Sequence, residues 1–150
     1  MRPDLLSSDE GRIGPHVNRF LPPDMIYMRV VGDLSEEDGR EINRQHFEMG
    51  KDVDGVFFLC DISELESVTA DTRKGAVEVQ KMMSIAGIVI LKAPMKARIF
   101  AKLILTATNL FRSEKMPVVF VETEEEGWEW IGQQREKLRA GKQGLTAVEA

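Results

Sequence analysis

Apolar positions along this chain fall into two alternating patterns: short unbroken runs, and longer stripes at helical spacing. VFFLCDI (56–62) and IVIL (88–91) are nearly continuous apolar runs. That is the pattern of strands covered on both faces, as in a parallel sheet. PVVFV (117–121) is a third such run. Upstream, His16–Phe20 and Met25–Val31 flank Leu21-Pro22-Pro23-Asp24. Two prolines and an aspartate make a turn, so these blocks predict an antiparallel hairpin. Gly32-Asp33 reads as the end of the second strand.

Four helices fit between and after these strands. Ser35 is placed to cap the first, with Glu36, Glu37 and Asp38 against its positive end, and Gly50 is placed to stop it after Met49. Its apolar stripe is thin (Ile42, Phe47, Met49). Ala70–Met83 carries Ala76, Val79, Met82 and Met83 on one side. Pro94 suits the first turn of a third helix, Met95–Arg112. Glu124–Arg139 has Trp128, Ile131 and Leu138 at core-facing spacing. The order is β-β-α-β-α-β-α-β-α, an α/β class domain. It implies a mostly parallel five-stranded sheet with an antiparallel edge hairpin and helices packed on it. Residues 1–13 read as a loose N-terminal arm, 14–139 as the domain, and 140–150 as a loose tail.

Composition narrows the class. The chain has 150 residues, 43% hydrophobic and 30% charged, which suits one soluble domain with a real core. A net charge of -5 argues against a nucleic-acid reader. The start, MRPDLLSSDEGRIGP, lacks the apolar stretch of a secretory signal, and no run approaches a membrane span. A single cysteine, Cys60, cannot form an internal disulfide, so a cytoplasmic protein is expected. Cys60 reads as a small inert core residue. Two histidines and one cysteine are too few for an ordinary zinc site. His46 lies at the edge of its helix's apolar stripe, and His16 has no evident partner. No nucleophile elbow, phosphate loop, zinc-protease or dinucleotide motif occurs, so neither an enzyme nor a cofactor is expected.

Three stretches carry a resemblance. VVGDLSEED (30–38) is a strand ending in Gly before an acidic capped helix. VFFLCDISELESVTADT (56–72) is a buried strand, a Ser/Thr-rich loop and a helix start. MPVVFVETEEEGWEWI (116–131) is a strand feeding an acidic helix with tryptophan. In order and spacing, over about 14–139, the chain resembles the STAS domain (sulfate transporter and anti-sigma-factor antagonist). It is closer to the diverged branch grouped with CRAL-TRIO lipid-binding domains. The resemblance implies a non-catalytic regulatory module that binds a protein partner. In anti-sigma-factor antagonists the loop after the third strand reads roughly Asp-Ser-Ser-Gly, and a partner kinase phosphorylates the second serine. In the register we favour, Thr69, Ala70, Asp71 and Thr72 occupy that loop, which puts Asp71 at the phosphoacceptor position. A carboxylate accepts no phosphate from a serine kinase but can imitate a permanently phosphorylated state. A slip of one or two residues would bring Thr69 or Thr72 into play instead. Independently of any family, Ser67, Thr69 and Asp71 are residue types that cap a helix.

The 92–115 stretch stands apart. Lys92, Lys96, Arg98, Lys102, Arg112 and Lys115 face a single acid, Glu114, leaving the remainder of the chain strongly acidic. At 100° per residue, Ile99, Phe100, Leu103, Ile104, Ala107, Leu110 and Phe111 share one apolar arc, with Arg98 and Lys102 opposite and Leu105 outside it. Three readings follow: a core helix with a solvated basic back, an apolar face shared with a second subunit or a partner, and a surface for anionic lipid or an acyl pocket. A carrier or sensor of a small apolar or lipid-like ligand, its pocket lined by Ile99, Leu103 and Phe111, is thus the alternative function. A homo-oligomer joined through the same helix is a third.

Overall fold

Strand β1 (Arg12–Ile13), β2 (His16–Leu21) and β3 (Met25–Leu34) form an antiparallel meander in the computed structural model, which describes residues 11–110, 112 and 115–149. From β3 onward every strand is parallel to the last: β4 (Asp54–Val68), β5 (Ser84–Leu91) and β6 (Val118–Val121). The connections are α1 (Glu36–Gly50), α2 (Ala70–Lys81) and α3 (Met95–Asn109), and α4 (Glu124–Glu149) follows β6. The sheet runs β1-β2-β3-β4-β5-β6 without a change of order.

The apolar run of β4 divides by parity, because successive strand residues point to opposite faces. Phe58, Cys60 and Ile62 join Ile42 of α1, Val79 of α2 and Leu105 of α3 in one core. Phe57 and Leu59 join Ile131 of α4 in the other. Three helices therefore cover one face and α4 covers the opposite one.

The structure corrects several expectations. The sheet has six strands, not five: Arg12–Ile13, assigned to the arm, pair with β2. Residues 1–10 of that arm lie outside the described residues. Helix α4 continues to Glu149 instead of ending at Arg139. Gly32 does not end β3; it adopts a φ of 71° at a bulge, and the strand goes on to Leu34. β4 likewise runs through the expected loop to Val68, with Asp33 opposite Ser67 and Leu34 opposite Val68. The third helix ends at Asn109, before Arg112, and only part of the apolar arc, Phe100 and Ile104, turns inward. Ala97, Leu105 and Thr108 face the protein, while Ile99 and Leu103 are exposed. Small residues allow close approach, and Thr108 adds a hydrogen bond to Gln80 Oε1 of α2 at 2.7 Å.

Candidate functional site

The matched extension of β3 and β4 delivers two helix starts side by side. Ser67 Oγ donates to Asp33 Oδ1 at 2.6 Å, joining the two strand ends. One residue beyond Leu34, Ser35 caps α1 by accepting from Asp38 N (3.1 Å). One residue beyond Val68, Thr69 caps α2 by accepting from Thr72 N (3.2 Å). Each cap satisfies an amide that the helix leaves without a partner. Gly39 of α1 lies directly against Thr72, and Asn43 Nδ2 donates to the Thr72 carbonyl at 3.3 Å. Thr72 thus locks the two helices together.

This geometry sorts the four residues of the expected switch loop. Thr72 is buried. Thr69 is exposed, but its hydroxyl is committed to the cap and also donates to Thr72 Oγ1 at 3.0 Å. Ser67 is half-buried and tied to Asp33. Asp71 is exposed in the first turn of α2 and forms no hydrogen bond or ion pair with the described residues. It stands on the wall of a groove of about 470 Å³ between α1 and α2, opposite Glu36, Arg40 and Arg44.

The α3 residues separate into an outer and an inner set. Ile99 and Leu103 point outward. Phe100 turns inward beneath the Arg73 guanidinium, 5.7 Å from the ring centre. Phe111 lies outside the described residues. Lys96 pairs with Glu66 (3.4 Å) and Arg98 with Glu122 (3.7 Å). The Arg98 guanidinium lies 4.8 Å from the Phe120 ring centre and Lys102 Nζ 6.0 Å from it.

Two features differ from expectation in where they lie and what they touch. Between the sheet and α1–α3 is an apolar cavity of about 120 Å³, walled by Met28, Phe58, Ile90, Phe100 and Ile104 with His46 at one side. His46 itself belongs to a buried polar chain. Its Nε2 is 2.7 Å from Asn18 Oδ1, and Asn18 Nδ2 donates to Gln45 Oε1 at 3.0 Å. Burial lowers the His46 pKa to about 4. His16 acquires a partner too: its Nδ1 accepts from Val31 N at 3.1 Å, so Nε2, 3.6 Å from Asp38, carries the proton of the neutral ring. Burial lowers its pKa, and Asp38 opposes that. The placement of His46 four residues after Ile42 was the available signal; nothing in one sequence indicates a void. The Cys60 thiol is pushed up to about 12 by burial and by Asp61. Among the described residues no cluster of three or more His, Cys, Asp or Glu could hold a metal ion, and no helix is long and apolar enough to cross a membrane.

No family model matches the chain, and no curated protein matches it. Among the solved structures similar to it are two SpoIIAA-like proteins. One is an uncharacterised protein of the DUF3478 family with a SpoIIAA-like fold from Shewanella loihica PV-4. It has a TM-score of 0.54 and 15% identity over 75% of this chain and 89% of that one. The other is the anti-sigma factor antagonist SpoIIAA in its unphosphorylated form, with a TM-score of 0.56 and 9% identity over 79% of this chain and 96% of that one. At these identities the likeness is one of fold, and the fold is STAS-like.

Proposed function

We propose that this SpoIIAA-like fold serves as a non-catalytic regulatory module that offers the start of α2 to a protein partner. The observation that carries the reading is the state of Asp71: exposed, without a partner among the described residues, and at the edge of the α1–α2 groove. The neighbouring hydroxyls are occupied in caps or strand pairing. Asp71 then supplies a fixed negative charge where the antagonist resemblance places a phosphoserine. Affinity purification with quantitative mass spectrometry, comparing wild type with Asp71→Lys, tests this. At least one protein should fall tenfold or more in recovery, equivalent to about 1.4 kcal/mol of binding. Identical recoveries, with the circular dichroism spectrum unchanged, would remove Asp71 from the site.

A second reading, a carrier or sensor of a small apolar ligand, is supported by the cavity. Its α3 wall is made by Phe100, Ala101, Ile104 and Leu105, in place of the expected Ile99 and Leu103. An apolar void of ~150 Å³ in another protein takes up benzene or xenon, so about 120 Å³ suits a molecule of that size and not an acyl chain. Benzene at ten times its Kd should raise Tm by about 3–5 °C, following from mass action and the size of the domain. Ala76→Leu, which fills the cavity from α2, should abolish the rise. A Tm that benzene does not move would remove this reading.

A further inference from the structure

We propose that the outer face of α3 docks on an anionic membrane surface. Met95, Ile99, Leu103 and Leu110 are 77%, 54%, 53% and 77% exposed. At 100° per residue they fall within about 80° of arc, opposite the buried Ala97, Leu105 and Thr108. A ridge of four large apolar side chains is thus aimed away from the core by a helix already anchored on its other side. Such a contiguous exposed patch marks an interaction site more than a chance of composition.

Charge selects the occupant. Helix α3 contains no acid, and cations border the ridge on both sides: Lys96 on one, Lys102 and Arg98 on the other. Lys92 precedes the helix, Lys115 follows Leu110, and both are exposed. Glu66 and Glu122 engage Lys96 and Arg98, whereas Lys92, Lys102 and Lys115 have no ion pair among the described residues. Apolar residues on one face with lysines at its margins are the arrangement that settles into the headgroup boundary, with the stems buried and the ammonium groups at the phosphates. A convex ridge needs a medium that closes around it, which fluid lipid does. A second copy of this chain fits poorly, because the acids at the margins, Glu66 and Glu122, are already paired with Lys96 and Arg98, which leaves self-pairing to set Lys102 against cations. This surface is separate from the start of α2 and does not depend on the function proposed for it.

The full chain can be tested by flotation with vesicles of phosphatidylcholine alone and with one-third phosphatidylglycerol. Binding should require the anionic lipid and weaken as salt rises. Ile99→Glu with Leu103→Glu should weaken it at least tenfold, with the thermal transition retained. Lys96→Glu with Lys102→Glu, two exposed positions, should weaken it at least twentyfold, at about fivefold for each lysine near the surface and more for the reversed sign. The charge pair also guards against a ridge variant that fails to fold. Absence of wild-type binding, equal binding to neutral vesicles, or binding unchanged in both variants would overturn the proposal. So would a wild-type dimer in sedimentation that Ile99→Glu with Leu103→Glu dissociates, since the ridge would then belong to a second copy. An acidic protein that competes for the ridge in vesicle-free solution, with no flotation, would overturn it in favour of a protein partner.

Discussion

Replacing Gly39 with alanine is expected to lower stability by about 1–3 kcal/mol, the cost of overpacking a filled site. In a domain of this size that is a fall in Tm of roughly 2–12 °C. A Cβ at residue 39 would sit 2.4 Å from Thr72 Oγ1, 2.5 Å from its Cγ2 and 3.0 Å from its Cβ. Thr72 cannot swing aside: it is β-branched, buried, and its hydroxyl receives the Thr69 hydroxyl hydrogen. The strain must therefore separate α1 from α2. The expected loss is net, since Gly→Ala within a helix normally gains about 0.5–1 kcal/mol. Gly132→Ala on α4, where a Cβ meets nothing within 4 Å, should show that gain and serves as the control. Thermal or urea unfolding of both variants decides the matter. Equal behaviour of the two would mean that the α1–α2 contact is loose. Thr72→Ala should restore much of the loss in Gly39→Ala, because it removes the Oγ1 and Cγ2 that clash. If the start of α2 is the partner surface, Gly39→Ala should also weaken binding without touching any exposed residue.

Much of this arrangement was legible in the sequence, and the exceptions share a cause. The two-faced strand at Val56–Ile62, the hairpin around Pro22-Pro23, and the caps at Ser35 and Thr69 each depend on local chemistry and are found as expected. What was missed depends on pairing between distant segments. Arg12–Ile13 become a strand because β2 offers an edge. Gly32 looked like a terminator, yet its positive φ lets β3 bulge and continue, and β4 continues with it. The side-by-side helix starts, and hence the setting of Asp71, follow from that shared extension. Helix α3 misled for a different reason. Its apolar arc was open to a core, a shared-face and a lipid reading, and the fold divides it: Phe100 and Ile104 turn to the cavity, Ala97 and Thr108 make the close approach, and Ile99 and Leu103 stay outside. Hydrophobicity alone does not separate a core face from a docking face.

Acid is expected to destabilise the protein through His46, by up to roughly 3 kcal/mol, at 1.36 kcal/mol per pKa unit. In the fold its pKa is held at about 4 by burial, against 6.5 in the unfolded chain. Nε2–H is spent on Asn18 Oδ1, and the ring meets Phe58 edge to face at 5.2 Å, so a second proton would place a cation on the wall of an apolar cavity. Between pH 6.5 and 4 the unfolded state binds more protons than the folded one, so stability falls as pH falls. The contribution is complete above pH 6.5, declines through that window and is gone below pH 4. His16 is shifted in the same direction, so its effect has the same sign. Glu41 acts elsewhere: hydrogen bonds from Arg44 and Gln45 hold its pKa at about 2, so its loss begins only near pH 4.5. Urea unfolding of wild type and His46→Gln at pH 7.5, 6.0 and 5.0 isolates the histidine. The glutamine keeps an N–H donor for Asn18 but cannot titrate. The variant should start less stable and lose less, so the two curves converge toward pH 5; parallel curves would mean that the buried chain of Asn18, Gln45 and His46 does not set the acid limit. Convergence would also show that the cavity wall excludes water around His46 tightly enough to keep the ring neutral, the condition under which an apolar guest could occupy the void.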